Sequence, residues 1–245
     1  MNSPAFSRFR RIGILFHGNK LWISELVSLV FAGIVLCTLF SLSFLILFNE
    51  SAIHRRDKHI AELKAELTAM DNTISQRIAQ ERVGAALKSV AGGVLSDRLY
   101  YQLVGLVYNN SKTFGYDPLL ILAVIQVESV FKPDALGRYK NLKLSGALGL
   151  MQLMPETARE IAANLGISIK SDADIFRPDV NLAVGVAYLT KLISSFKSFK
   201  LGLLAYNQGP GVIKEQLQGN HPLSIDYYHR VLKKYYALKN AVDKR

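Results

Sequence analysis

The sequence predicts an all-α protein, with a helical domain of about seven helices over residues 96–245. Apolar side chains in this region recur at helical spacing, and no alternating apolar and polar stretch predicts a strand instead. Ahead of the domain, an uncharged apolar run followed by a heptad pattern predicts one transmembrane helix and then a helical or coiled-coil stalk.

The chain begins with a short basic segment, residues 1–24, and continues with the apolar run, residues 25–48. No charged side chain occurs between Leu26 and Phe48, so the run is long enough to span a bilayer. A cleaved signal peptide is the alternative, but its apolar core is normally ~7–15 residues long and ends in a small-x-small site, which this run lacks. We therefore expect an uncleaved signal anchor. Its orientation stays open, because basic residues are equally numerous on both sides.

Residues 53–83 are predicted to form the stalk, and residues 84–95 a linker. Six apolar residues occupy a and d positions of a heptad frame that Arg56 and Arg77 interrupt. A coiled coil that joins copies of the chain and a single helix packed on the downstream domain both fit this pattern. The heptad residues are Ile53, Ile60, Leu63, Leu67, Met70 and Ile74, and the linker glycines are Gly84, Gly92 and Gly93.

Within the domain, helix-start and helix-stop residues divide the apolar pattern into separate elements. Asp117 followed by Pro118 is a helix start, because an N-cap oxygen precedes a proline whose missing N–H costs nothing in the first turn. Residues 132–146 are predicted to be a loop, and the Gly-Pro-Gly sequence at 209–211 to end a short helix. Six of the predicted helices cover residues 97–113, 118–128, 155–165, 181–196, 201–206 and 225–240.

Glu128 is the acid around which we expect the domain to be organised. It follows an apolar run, residues 119–125, that is typical of a helix buried on every side, and it lies about three turns from the start of that helix. Burial disfavours a charged carboxylate and raises its pKa, which a general acid at neutral pH requires. A structural glutamate bonded to the backbone or to a basic partner is the alternative at this point.

Charge and motif content restrict the function classes. The formal net charge is +11, and residues 1–95 carry 11 basic and 7 acidic side chains while residues 96–245 carry 19 and 12. A spread excess suggests a polyanionic neighbour, such as anionic lipid, an acidic polymer or nucleic acid. We do not expect nucleic acid, because no base-reading helix, RNP-type aromatic motif or Cys/His zinc spacing is present. The single cysteine, Cys37, excludes an internal disulfide.

Four short motifs follow one another in the domain. Their glycines allow close backbone approach to a ligand, and their amides and phenols suit a carbohydrate chain better than a phosphate. The motifs are Glu128-Ser-x-Phe131; Gly149-Leu-Met-Gln152 with Met154-Pro155 and Thr157-Ala158; Asn181-Leu182 and Gly185 ahead of Tyr188-Leu189; and Ala205-Tyr-Asn207 with Gly209. This ordered set resembles the soluble-lytic-transglycosylase-like (SLT domain) family of peptidoglycan-cleaving enzymes, over roughly residues 98–235. The later segment Tyr227-Tyr-His-Arg-Val-Leu232 resembles the family's Tyr-x-x-x-Val segment.

The resemblance implies a lysozyme-like helical fold and cleavage, without water, of the bond between N-acetylmuramic acid and N-acetylglucosamine. Glu128 is implied as the single acid and base, with no metal and no cofactor. Peptidoglycan glycan strands are the implied partner, so the protein would be anchored once in the bacterial inner membrane with a cytoplasmic N-terminus and a periplasmic domain. The implied substrate-binding residues are Ser129, Ser145, Met151 at the subsite floor, Gln152, Tyr206, Asn207, and Tyr227, which would also bond to Glu128.

The sequence departs from the family pattern between Glu128 and Gly146. The family commonly has a serine three residues before Gly146, where this chain has Lys143, and Ser145 stands next to the glycine. The segment also looks longer than usual and carries Arg138-Tyr-Lys140. The identity of the hydroxyl that contacts substrate is therefore open.

Two other functions also stay open. The first is a hydrolase of goose-lysozyme type, which would use water and a second acid such as Asp134 or Asp226. The second is a non-catalytic glycan-binding scaffold, in which the anchor and the stalk recruit an envelope machine.

Overall fold

A computed structural model describes the backbone of residues 6–93, 95–139 and 141–244, and the side chains from residue 22 onward within those ranges. The chain divides into two compact units, Met1–Asp71 and Asn72–Arg245. The charged side chains at Arg8, Arg10, Arg11 and Lys20, in the predicted basic segment 1–24, lie outside the described side chains, as does Lys140.

The described residues of the first unit belong to helix α1, which spans Phe6–Ala91. This helix contains a stretch that is long and apolar enough, by length and composition, to cross a membrane. The apolar side chains from Trp22 to Phe48 are exposed, and so are the heptad side chains of the stalk. Both segments are thus helical, and the crossing of a membrane and the pairing of stalks stay predictions.

The predicted linker over residues 84–95 is wrong as far as Ala91, because α1 continues through it into the core of the second unit. Val83 is 1% exposed and Leu87 is 0% exposed. A glycine inside a helix costs only about 1 kcal/mol, less than the burial of these side chains contributes. Gly84 also fits closely, since a Cβ there would lie 2.7 Å from the hydroxyl oxygen of Tyr100. The domain core therefore begins at Val83 and not at residue 96.

The remaining elements of the second unit confirm the all-α prediction. One buried helix, α3, is surrounded by the others. The described residues form one sheet, which is a short two-stranded hairpin. The elements are α2 (Asp97–Phe114), α3 (Pro118–Glu128), β1 (Leu136–Arg138), β2 (Leu144–Leu148), α4 (Pro155–Asn164), a 3-10 helix (Asp172–Phe176), α5 (Pro178–Phe196), α6 (Phe199–Gln208), α7 (Pro210–Gln218) and α8 (Asp226–Asp243).

Helix α3 starts where its capping residues predict. The Asp117 side chain accepts a hydrogen bond from the backbone N–H of Leu119 at 2.9 Å, and Pro118 occupies the first turn. The other carboxylate oxygen of Asp117 accepts from the Tyr235 hydroxyl at 2.9 Å, which ties the start of α3 to α8. All seven side chains from Leu119 to Ile125 are buried. This anchoring fixes where the C-terminal end of α3, and hence Glu128, lies.

One local prediction is wrong, and one helix was not predicted. The predicted loop 132–146 contains most of an antiparallel hairpin, in which Leu136 pairs with Leu148 and Arg138 with Leu144. Its strands are too short to display an alternating pattern. The Gly-Pro-Gly sequence at 209–211 does end α6, but it also begins α7, because a proline is well placed in the first turn of a helix.

Candidate active site

Glu128 is the last residue of α3 and is partly buried. The Tyr227 hydroxyl on α8 donates a hydrogen bond to its Oε1 at 2.5 Å. Burial raises the pKa of Glu128 from 4.5 to about 7, against the opposing effects of the Tyr227 hydrogen bond and the charge of Arg230. Near neutral pH the group is therefore present in both protonation states, as one residue that acts first as acid and then as base requires.

Tyr227 fixes the orientation of this carboxyl group. Its side chain is 2% exposed, and burial and the nearby Glu128 raise the pKa of Tyr227 well above its ordinary value, so it stays a hydrogen-bond donor. The Arg230 guanidinium lies 5.6 Å from the centre of the Tyr227 ring, one turn along α8. The predicted pairing of Tyr227 with Glu128 thus occurs in the structure.

The chain turns sharply directly after Glu128. Val130 and Phe131 have φ angles of 52° and 62°, in the left-handed region that a β-branched residue such as valine rarely adopts. This turn ends α3, so that the Glu128 side chain faces a cleft and not a further helical turn. Strained backbone of this kind concentrates at functional sites.

Asn181 holds the turn that carries Gln152. Its Oδ1 accepts from the backbone N–H of Met151 at 2.7 Å, and its Nδ2 donates to the carbonyl oxygens of Leu148 at 3.0 Å and Ile175 at 2.9 Å. Asn181 is fully buried, and these three bonds satisfy its amide. The Gln152 amide donates to the Gly149 carbonyl at 2.8 Å, which keeps its side chain at the cleft.

Helix α6 brings the phenol of Tyr206 and the amide of Asn207 next to the turn that carries Gln152. The Tyr206 hydroxyl donates to the carbonyl oxygen of Met151 at 2.7 Å, and its ring lies 5.5 Å from that of Tyr188. Asn207 follows and is exposed at the end of the helix. These contacts join α6 to the turn at Gln152.

The cleft around Glu128 has a volume of about 530 Å³. A neighbouring depression of about 300 Å³ shares part of its lining and continues toward the start of α7. Together they form an open groove, which suits a chain-like ligand better than a small enclosed one. Residues common to both are Gln152, Met154, Tyr206 and Asn207.

The structure brings together most of the predicted site residues. The cleft is lined by six of them: Glu128, Ser129, Ser145, Gln152, Tyr206 and Asn207. Tyr227 lies behind Glu128 and contacts it directly. The Ser129 hydroxyl donates to the carbonyl oxygen of Ile125 at 3.2 Å, so its proton is already used at the helix end.

Met151 does not form the floor of the cleft, as the family resemblance implied. Its side chain is fully buried and packs against Gly185, where a Cβ would lie 2.9 Å from the Met151 Cβ. The turn directs Met151 into the core and leaves Met154, which is 47% exposed, to line the cleft. Met151 therefore acts through its backbone, which bonds to Asn181 and Tyr206.

The sequence reasoning missed the hairpin residues of the site. Leu136, Gly137, Arg138 and Tyr139 line the cleft opposite the helices. The one signal was the unusual length and basic character of this segment, which does not reveal a hairpin. Among the described residues, no three His, Cys, Asp or Glu side chains are grouped as metal ligands.

Comparison with known proteins places this site in a family. A family model described as "Transglycosylase SLT domain" matches residues 105–228. A curated relative, membrane-bound lytic murein transglycosylase C of Actinobacillus pleuropneumoniae serotype 5b (strain L20), is 34% identical over 139 residues, which is 52% of this chain and 36% of the relative. The protein of the same name from Histophilus somni (strain 2336) is 32% identical over 137 residues, which is 51% of this chain and 36% of that one. The match thus spans about a third of the length of these relatives.

Two solved structures are also similar. An inactive variant of lytic transglycosylase Slt from Pseudomonas aeruginosa is 29% identical and covers 63% of this chain and 24% of its own, with a TM-score of 0.43. The 70 kDa soluble lytic transglycosylase of Escherichia coli is 22% identical and covers 69% of this chain and 29% of its own, with a TM-score of 0.45. Since the family model covers half of the sequence and takes in Glu128, Gln152, Asn207 and Tyr227, the chain belongs to the transglycosylase SLT domain family.

Proposed function

We propose that this chain is a peptidoglycan lytic transglycosylase, which cleaves the β-1,4 bond between N-acetylmuramic acid and N-acetylglucosamine and leaves a 1,6-anhydro end. The proposal rests on Glu128. Among the described residues that line the cleft, it has the one carboxyl group, and its pKa is raised to about 7. The name shared by the curated relatives, lytic murein transglycosylase, supports the same activity.

The reaction requires Glu128 to donate one proton and then to accept one. Protonated Glu128 donates its proton to the bridging oxygen, and the bond from C1 of muramic acid to that oxygen breaks with N-acetylglucosamine as the leaving group. The muramic acid 6-hydroxyl then attacks C1 while the Glu128 carboxylate accepts the hydroxyl proton. A new C1–O6 bond replaces the broken one, no water is consumed, and Glu128 ends in its starting state. A pKa near the working pH favours both halves of this cycle.

The neighbouring residues hold the acid and the substrate. Tyr227 orients the Glu128 carboxyl group and stabilises its ionised form between the two proton transfers. Asn207 presents its amide group to the sugar hydroxyls and acetamido groups, and Ser145 adds a hydroxyl from β2. Gln152 presents its amide oxygen, because its NH2 group already donates to the carbonyl oxygens of Ala135 and Gly149. Tyr206 supports the turn at Gln152 and lines the groove.

A hydrolase of goose-lysozyme type would need a second carboxylate close to Glu128 to activate water. Neither Asp134 nor Asp226, the two candidates for that second carboxylate, lines the cleft. The described site thus supports the single-acid mechanism. A scaffold without activity would have no need for the strained turn and the raised pKa at Glu128.

The same proposal assigns a location and an assembly. The apolar part of α1, residues 25–48, would anchor the chain once in a bacterial inner membrane, with the N-terminus in the cytoplasm and the domain in the periplasm where the substrate lies. The exposed heptad residues of the stalk, residues 53–83, would pair two copies of the chain. Protease added outside spheroplasts should degrade the domain. Protection of the domain from the protease would indicate the opposite orientation, with the domain in the cytoplasm.

Mass spectrometry of products released from purified peptidoglycan sacculi tests the activity. The full chain in detergent micelles is the right sample, because removing α1 would remove core residues such as Leu87. Wild-type protein should release muropeptides lighter by one water than hydrolytic ones, and Glu128→Gln should release none. Asp134→Asn and Asp226→Asn are matched controls that should stay active. Reducing-end products, or loss of activity in either control, would support a hydrolase, and no products at all would support a scaffold.

A further inference from the structure

The hairpin forms one wall of the cleft that contains Glu128. Gly137 and Arg138 of β1 and Tyr139 of the turn line this wall, together with Ser145 of β2. Gly137 is the point of close packing, since a Cβ there would collide with the Ser145 hydroxyl oxygen and lie 2.7 Å from Gln152 Oε1. The wall is thus packed directly on the predicted substrate-binding residues.

Arg138 is held in position at the tip of this wall. Its Nη1 donates to the carbonyl oxygen of Leu142 across the turn at 3.1 Å. The turn itself is closed by backbone bonds from Tyr139 N–H to the Lys143 carbonyl and from Leu142 N–H to the Tyr139 carbonyl, each 2.9 Å long. A guanidinium has five N–H donors, so most of them remain for a ligand after one is used in the turn.

No carboxylate among the described residues pairs with Arg138. Three other arginines of the same unit each pair with an aspartate: Arg82, Arg159 and Arg177. Of the described residues that line the cleft, Arg138 is the one cation and Glu128 the one acid. The wall therefore presents a positioned positive charge to the groove, and no carboxylate among the described residues forms an ion pair with it.

Resting on the proposed function, we infer that Arg138 binds a carboxylate on the 3-O-lactyl substituent of muramic acid. The glycan backbone of peptidoglycan is neutral, so its anionic groups are all on this substituent. They are the lactyl carboxylate of a strand without peptides or the carboxylates of an attached stem peptide. The planar guanidinium matches a carboxylate through two parallel hydrogen bonds. Tyr139, which is 59% exposed, offers an aromatic face beside it.

Calorimetry tests this inference by measuring how three tetrasaccharides bind to the full chain in micelles. The protein carries Glu128→Gln, which prevents turnover. The first is a muropeptide with stem peptides, the second is the same glycan freed of peptides by an amidase, and the third is chitotetraose, which has no lactyl group. Arg138→Gln should raise the Kd about tenfold for a lactyl-bearing ligand, as expected for the loss of a hydrogen bond to a charged group. Chitotetraose should change less than twofold. Arg138→Lys should recover part of the loss, and Lys143→Gln, which removes a charge from the same hairpin outside the cleft lining, should change nothing.

Each outcome has one meaning. If Arg138→Gln weakens binding of the muropeptide alone, the carboxylate belongs to the stem peptide. If it weakens binding of the amidase product alone, the carboxylate belongs to the lactyl group. No loss for either ligand, or an equal loss for all three, overturns the inference. Product release from sacculi by wild-type protein is scored separately, so failure of the proposed activity is distinguishable from failure at Arg138.

Discussion

Replacing Glu128 with Gln should stabilise the folded protein at pH 8 and leave its stability unchanged at pH 4. The folded pKa of about 7 lies above the ordinary 4.5, so between these values the folded state holds a proton that the unfolded state has lost. The free energy of unfolding of the wild type therefore falls as pH rises from 4.5 to 7. At about 1.4 kcal/mol per pKa unit, this loss is about 3 kcal/mol, and the uncharged amide side chain of the variant does not incur it.

Urea unfolding of the full chain in micelles, followed by circular dichroism at pH 4, 6 and 8, measures this difference. Glu215→Gln is the matched control, because Glu215 is exposed on α7 and its replacement removes no buried charge. The gain from Glu128→Gln should grow with pH, while the control should change stability by less than ~0.5 kcal/mol at any pH. An equal effect of Glu128→Gln at pH 4 and pH 8 would refute the reasoning, since the gain would not then come from removing a buried charge.

Three further changes test the site and its support. Tyr227→Phe should lower kcat about 10- to 100-fold and raise the pKa of Glu128 seen in the pH–rate profile, because a donor to its carboxylate is lost; an unchanged profile would contradict this. Gly137→Ala should displace Gln152 and lower kcat/KM at least about tenfold, while the helical circular dichroism spectrum is retained. Full activity would show that the hairpin can shift to accommodate the added methyl group. Leu87→Ala should cost about 2–5 kcal/mol in urea unfolding, whereas a cost below ~0.5 kcal/mol would restore the linker interpretation.

The acid at the end of α3 illustrates a conflict between stability and function. An apolar side chain in place of Glu128 would pack against the same helices without the cost of ionisation near neutral pH. The left-handed backbone at Val130 adds a further local cost. The extensive burial of α3, from Leu119 to Ile125, offsets both and keeps the acid in place.

The sequence by itself determined the features that depend on neighbouring residues. Asp117 and Pro118 define the start of α3 through a cap and a fixed backbone angle, and both effects act within one turn. The apolar run after them requires a buried helix, which puts Glu128 at its end. The helical class and the acid were therefore predictable.

Only the tertiary structure decided which distant residues meet. Tyr227 is 99 positions from Glu128 in sequence, and its hydroxyl reaches the carboxyl group because α8 packs on α3. Tertiary packing also buries Leu87 in the core, although nearby glycines predict a linker. Met151 turns inward while Arg138 lines the cleft, because the Asn181 hydrogen bonds and the hairpin set those directions. Local pattern specifies where elements form, but burial and long-range hydrogen bonds specify what each side chain faces.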